Sequence, residues 1–296
     1  MTDSAASRRM ITVQGRPAGW LEDGPESDLP LLLLHGAGFD HADLSWGPVA
    51  RSLMRTRHVI RPDLPGYGVT AGFGRAYTLD DLGQWLVAFL EARGIERVDV
   101  AGLSMGGGLA LWLALNHPQR VRGVIPVCPY GLMRRAPLHL LGMLWARRPL
   151  SSLIYRAGAA RRGARAGLRL AGCRNRAQIS DDLVEQITRV SREQRERRSF
   201  DAFLAGEMRA SGLRSCFIDR LSDLCAPVLL IQGRYDPVVP ARHARRAVRR
   251  LPNARLEMLD ARHLLTRDCP EELAALISAF LSGLDQSDAA PDTRAD

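Results

Sequence analysis

Apolar residues along this chain follow two alternating rhythms. Short runs of strand length give way to longer stretches where apolar residues return every three or four positions. Residues 29–34 form an almost unbroken apolar run that stops at His35-Gly36-Ala37-Gly38, and it reads as a strand buried on both faces. Short strands are predicted over 10–14, 18–21 and 58–61, and a helix over 46–55. Leu82, Trp85, Leu86, Phe89 and Leu90 recur at helical spacing behind Thr78, a natural cap, and Gly94 marks the end of that helix. A strand over 97–101, a helix over 104–117 and a strand over 121–128 continue the alternation. After about residue 129 it breaks, and it resumes with strands over 227–232 and 255–259 and helices over 240–251 and 270–281. Strand and helix in alternation predict an α/β fold, a mostly parallel sheet flanked by helices.

The interruption sets the domain organisation. A core over 1–130 and 216–284 is expected to be split by a helical insertion over 131–215, which includes a helix over 181–198 behind Ser180. Residues 1–9 and a polar tail over 285–296 are expected to be disordered. Within the insertion, Leu138, Leu140, Leu141, Met143, Leu144 and Trp145 cluster between two Arg pairs. They read as a helix packed on the core. A sharper reading makes them an apolar acyl pocket or a lipid-docking surface.

Charge narrows the partners. The net charge is +9, and all 41 basic residues are Arg. From Arg134 to Arg220, 19 Arg face 8 Asp plus Glu, a larger surplus than that of the whole chain. A chain without Lys speaks for coding bias rather than selection for phosphate contacts, so no nucleic-acid partner is expected. The Arg surplus reads as a solvated face, with steering of an anionic substrate as the alternative. Five cysteines without a C-x-x-C pair give no disulfide framework or zinc site. No signal peptide and no apolar run long enough to span a bilayer are recognised, so a cytoplasmic location without a membrane partner is expected. The oligomeric state is not set by these features.

The chemistry centres on Gly102-Leu103-Ser104-Met105-Gly106, at a strand-to-helix junction. A turn this tight leaves no room for side chains two residues either side of the serine. The hydroxyl is pushed outward, and the helix N-terminus behind it favours developing negative charge. A serine nucleophile needs a base and an orienting carboxylate. Of seven histidines, His263 follows a strand, where sites of parallel sheets assemble, whereas His58, His117 and His243 have ordinary structural readings and His139, in the insertion, is placed to line a pocket. Asp236, after another strand, is the best carboxylate, with Asp260 the second candidate. The small residues of His35-Gly36-Ala37-Gly38 would let backbone N–H groups approach a substrate carbonyl.

Four elements in order carry a resemblance: the His35-Gly36 loop, Asp63-Leu64-Pro65-Gly66-Tyr67-Gly68, the Gly102–Gly106 turn, and Asp236 with His263. Over residues 10–284 the chain resembles the α/β-hydrolase superfamily in its serine-nucleophile branch. The resemblance implies Ser104 as nucleophile, His263 as base and then acid, and Asp236 as its orienter. It also implies an oxyanion hole of Ala37 and Met105 with Gly38 nearby, and makes the insertion a cap. Pocket candidates are His35, Phe39, Leu103, Tyr130 and Leu264, and no metal or organic cofactor is called for. The expected reaction is hydrolysis of a carboxylic ester or related acyl compound, with a small molecule as partner. Two alternatives stay open: hydrolytic carbon–carbon cleavage of a dienoic diketo acid, as in meta-cleavage-product hydrolases, and a binding protein without turnover. The first is weakened where Phe39-Asp40-His41 replaces that group's usual P-G-A, Leu103 its Asn and Leu264 its Trp.

Overall fold

A computed structural model describes residues 8–136, 139–145 and 148–289. The first part of the chain runs β1 (Arg9–Val13), β2 (Arg16–Asp23), β3 (Leu31–Leu34), α1 (Ala42–Leu53), β4 (Val59–Pro62), α2 (Leu79–Ala92), β5 (Val98–Leu103), α3 (Met105–Asn116) and β6 (Val121–Val127). The insertion follows as α4 (His139–Trp145), α5 (Arg148–Gly158), α6 (Arg161–Gly167), α7 (Asp181–Arg197), α8 (Ser199–Glu207), β7 (Met208–Arg209) and β8 (Gly212–Leu213). The chain then closes with β9 (Val228–Gly233), α9 (Arg242–Val248), β10 (Ala254–Leu259), α10 (Leu265–Asp268) and α11 (Pro270–Ala289).

The sheet has eight strands in the order β1-β2-β4-β3-β5-β6-β9-β10. From β4 to β10 neighbours run parallel, and β1 and β2 form the antiparallel edge. The four leucines of β3 are all buried, because the strand is covered on both faces. Leu31 and Leu33 join Trp46 of α1 and Ile277 of α11. Leu32 and Leu34 join Leu86 and Phe89 of α2 and Leu109 of α3. A period of two in the strands therefore sends alternate leucines into two helix layers.

Local signals explain the starts of α1, α2 and α7. Thr78 and Asp81 form a reciprocal capping box at α2, and Ser180 accepts the Leu183 amide at the head of α7. α1 begins four residues earlier than its apolar period indicates, because His41 caps it through Nδ1 at 3.2 Å from the Leu44 amide. α11 corrects the disordered tail expected from residue 285. It runs helical to Ala289, because Asp285 pairs with Arg57 and Arg122 and Asp288 pairs with Arg122. The insertion holds a two-residue hairpin, β7–β8, besides its helices. Its apolar cluster also departs from expectation. Leu140 and Leu141 are exposed, whereas Leu138 and the side chains of Leu144 and Trp145 lie outside the described residues.

Candidate active site

β5 ends against α3 in a turn that only this sequence spacing permits. Ser104 sits at φ 55°, ψ −113°, in a region L-residues rarely enter. A Cβ on Gly102 would lie 2.1 Å from the Gly106 carbonyl oxygen, and one on Gly106 would lie 2.2 Å from that of Leu34. Both glycines are there because backbone passes where a side chain would stand. The strained serine is held from both sides. Its amide donates to Val127 at 2.9 Å, and its carbonyl accepts the Gly108 and Tyr130 amides. The side chain remains half-buried, and Met105 opens α3 with one of the N–H groups that a first helical turn leaves without an intrahelical partner.

The loop after β3 lies alongside. A Cβ on Gly36 would be 3.6 Å from Ser104 Cβ. The loop is shaped by Asp40, whose carboxylate accepts the Gly36 and His41 amides and the Ser45 hydroxyl. The Gly38 amide donates to the Tyr67 hydroxyl at 3.4 Å, and Ala37, Phe39 and Asp40 of this loop face open space.

β9 and β10, adjacent in the sheet, supply the other two side chains. Asp236 Oδ2 accepts His263 Nδ1 at 2.8 Å. Asp236 Oδ1 accepts the Val238 and Val239 amides at 2.7 and 2.9 Å, and Gln232 donates to Oδ2 at 3.2 Å. Burial raises this carboxyl's pKa, but His263 and the Val239 amide more than offset it, so the net shift is downward. Asp236 is therefore ionised at neutral pH and fixes His263 with Nδ1 protonated and Nε2 free to accept. Asp260, the second candidate, is instead a surface partner of Arg174 and Arg234. Cys128 Sγ lies within 4.8 Å of ligand atoms on Asp236 and His263. Burial and the Asp236 charge push its thiol well up, and the Asp236–His263 bond already occupies the atoms a cation would need.

A cavity of about 330 Å³ opens beside His263. The pocket candidates Phe39 and Leu264 line it, and so do Ala37, Asp40, Ile154, Leu168 and Ile187. The rest of its wall is mostly Gly and Ala from residues 157–172, a small-residue stripe at helical spacing that could have been recognised in the sequence. Three predicted pocket residues lie elsewhere. His35 is fully buried, donates from Nδ1 to the Gly36 carbonyl and accepts the Leu64 amide at Nε2, so it braces two loops. Leu103 is packed in the core beneath the sheet. Tyr130 donates to buried Glu207 at 2.7 Å. Among the described residues the pocket wall comes from α5, α6, the turn after it and α7. No Arg lines it. Arg161 and Arg165 pair with Asp181, and Arg198 pairs with Asp201, outside its walls.

Comparison with known proteins follows the same outline. Residues 30–266 match the family described as alpha/beta hydrolase fold. A 2-hydroxymuconate semialdehyde hydrolase of Pseudomonas putida is 28% identical over 86% of this chain and 88% of its own. The dihydrolipoyllysine-residue acetyltransferase component of an acetoin cleaving system, from the same species, is 28% identical over 91% of this chain and 68% of its own. Among solved structures, a meta-cleavage product hydrolase from Pseudomonas fluorescens superposes with a TM-score of 0.79 at 22% identity, covering 93% of this chain and 97% of the other. A thermophilic esterase from Thermogutta terrifontis gives 0.75 at 22%, covering 94% and 99%.

Proposed function

The chain belongs to the α/β-hydrolase family, and on that footing we propose that it is a serine hydrolase cleaving a neutral carboxylic ester or related acyl compound. The reading rests on one observation above all: His263, oriented by an ionised Asp236, borders an apolar cavity together with Ala37. The Ser104 hydroxyl attacks the acyl carbon and gives its proton to His263 Nε2, and the Asp236 carboxylate stabilises the imidazolium that forms. The Ala37 and Met105 amides receive the oxyanion. The intermediate collapses as His263 protonates the departing alkoxide. Water, deprotonated by His263, then attacks the acyl-enzyme and releases the acid and Ser104. The helical insertion acts as a cap whose α5, α6 and α7 form the acyl wall.

A second reading is carbon–carbon cleavage, favoured by the identity shared with the semialdehyde hydrolase of Pseudomonas putida. A dienoic acid would bring a carboxylate into a cavity whose described lining holds Asp40 and no Arg, so the ester is the better fit. Fluorophosphonate labelling followed by mass spectrometry tests the nucleophile. The label is expected on Ser104 and lost in His263→Ala, and a folded, unlabelled parent protein overturns the assignment. Ser104→Ala is expected to lower ester turnover by roughly 10⁴ or more. Side-by-side turnover of a neutral ester and a dienoic diketo acid separates the two chemistries.

A further inference from the structure

Five residues beyond His263, the Asp268 carboxylate is buried where the cap meets the loop of the base. Oδ2 accepts the Arg174 amide at 2.7 Å and the Arg262 amide at 2.9 Å, and Oδ1 accepts the Asn175 amide at 2.8 Å. Two of these donors belong to the cap and one to the residue preceding His263. The backbones continue the seam. The His263 amide donates to Ala171 at 3.1 Å, and the Leu264 amide donates to Gly172 at 3.0 Å. Ala171 and Gly172 end a π turn, Leu168–Gly172, that extends α6, and both line the cavity. On the other side of α10, Arg267 donates to Gln186 of α7 at 3.0 Å and to the Leu44 carbonyl at 2.6 Å.

We infer that Asp268 is a positioning residue that holds the base through the cap, so that the pocket wall at 171–172 and His263 move as one body. The inference rests on the proposed role of His263 as base. A carboxylate suits the post because it only accepts, and three backbone N–H groups converge on it. An Asn in its place would turn an NH₂ group toward at least one of those donors. Ala would leave all three to water or to nothing. Either change loosens the seam without touching Ser104, Asp236 or the cavity wall. Acyl groups that press on residues 171–172 therefore also set the angle at which His263 meets Ser104, and misplacement of a catalytic group by about 1 Å can cost ~10²-fold in rate.

Amide hydrogen exchange and ester kinetics on the full-length chain test this in Asp268→Ala and Asp268→Asn. Asn retains one acceptor oxygen and covers the case in which Ala does not fold. Exchange is expected to accelerate together at 174–175 and 262–264 in the variants. kcat, normalised to the folded fraction of each variant, is expected to fall roughly 10- to 100-fold while KM changes little; the normalisation removes the effect of general loss of stability. If residues 262–264 keep parental protection while 174–175 loosen, or if a folded variant keeps parental kcat, the inference is overturned. The exchange result decides the coupling even if Ser104 proves unreactive to fluorophosphonate, so this failure and that of the hydrolase reading are distinct.

Discussion

At the residue scale the site depends on places where a side chain is forbidden. Gly106 packs its α-carbon against the Leu34 carbonyl, so Gly106→Ala drives a methyl into backbone that cannot retreat without moving β3. A loss of about 3 kcal/mol or more is expected in urea denaturation, at the upper end for overpacking. Parental stability in that variant would mean that the turn has slack the geometry does not show. Asp236 carries a sign for pH. Its folded pKa lies below its ordinary value, so its ionised, hydrogen-bonded form stabilises the fold above the unfolded pKa, and that stability is lost as pH falls through the lowered folded one. The contribution is full at neutral pH. Asp236→Asn is expected to flatten the acid limb of the stability curve and lower ester turnover by about 10⁴, by analogy with other triads.

At the element scale, caps and anchors decide where helices begin and what they hold. His41 caps α1 while buried, and desolvation pushes its pKa down to about 4. A folded pKa below the unfolded 6.5 means that the unfolded chain binds the extra proton first. Stability is therefore complete above about 6.5 and declines as pH falls toward 4, by as much as about 3 kcal/mol. His41→Asn keeps a capping acceptor and removes the titration. Its unfolding free energy is expected to vary less between pH 7 and 4 than that of the parent, and an unchanged slope would exclude His41 as its source. The apolar period of α1 gave no hint of this start, because the cap is a histidine whose role appears only once Asp63 accepts the neighbouring Ala42 amide.

At the scale of the whole molecule, the question is how the insertion stays registered on the core. Glu207, fully buried at the end of α8, accepts the Leu79 amide at 2.8 Å, the Tyr130 hydroxyl at 2.7 Å, and both the amide and hydroxyl of Ser215 at 2.9 Å. It ties α2, the segment after β6 and the insertion's return to one carboxylate. Glu207→Ala leaves four polar groups without their acceptor and is expected to destabilise by at least about 3 kcal/mol in chemical denaturation. A cost under about 1 kcal/mol would show that water replaces the carboxylate. The Arg surplus works at this scale as well. Several of these residues pair with acids or backbone carbonyls around the insertion, Arg197 with the Gly68 carbonyl and Arg161 with Asp181 among them. Among the described residues no helix is long and apolar enough to cross a membrane.

The chain's own pattern determined the alternation of strands and helices, the split of the core by an insertion, and the order of Ser104, Asp236 and His263. Those features rest on local physics: the period of apolar residues, the Cβ-free turn around Ser104 and the caps at Thr78 and Ser180. Tertiary structure decided the rest. Nothing local tells His35 to brace two loops instead of facing a pocket, since its partners, Gly36 and Leu64, meet only when β3 and β4 pair. Among the described residues much of the pocket wall came from Gly and Ala in α5 and α6, because a cavity is set by what the packed elements leave empty. Asp268 became a clip for the same reason. Its three amide donors are 6, 93 and 94 residues away along the chain. The serine's conformation is thus written into five consecutive residues, whereas the placement of His263 involves the insertion packed beside it.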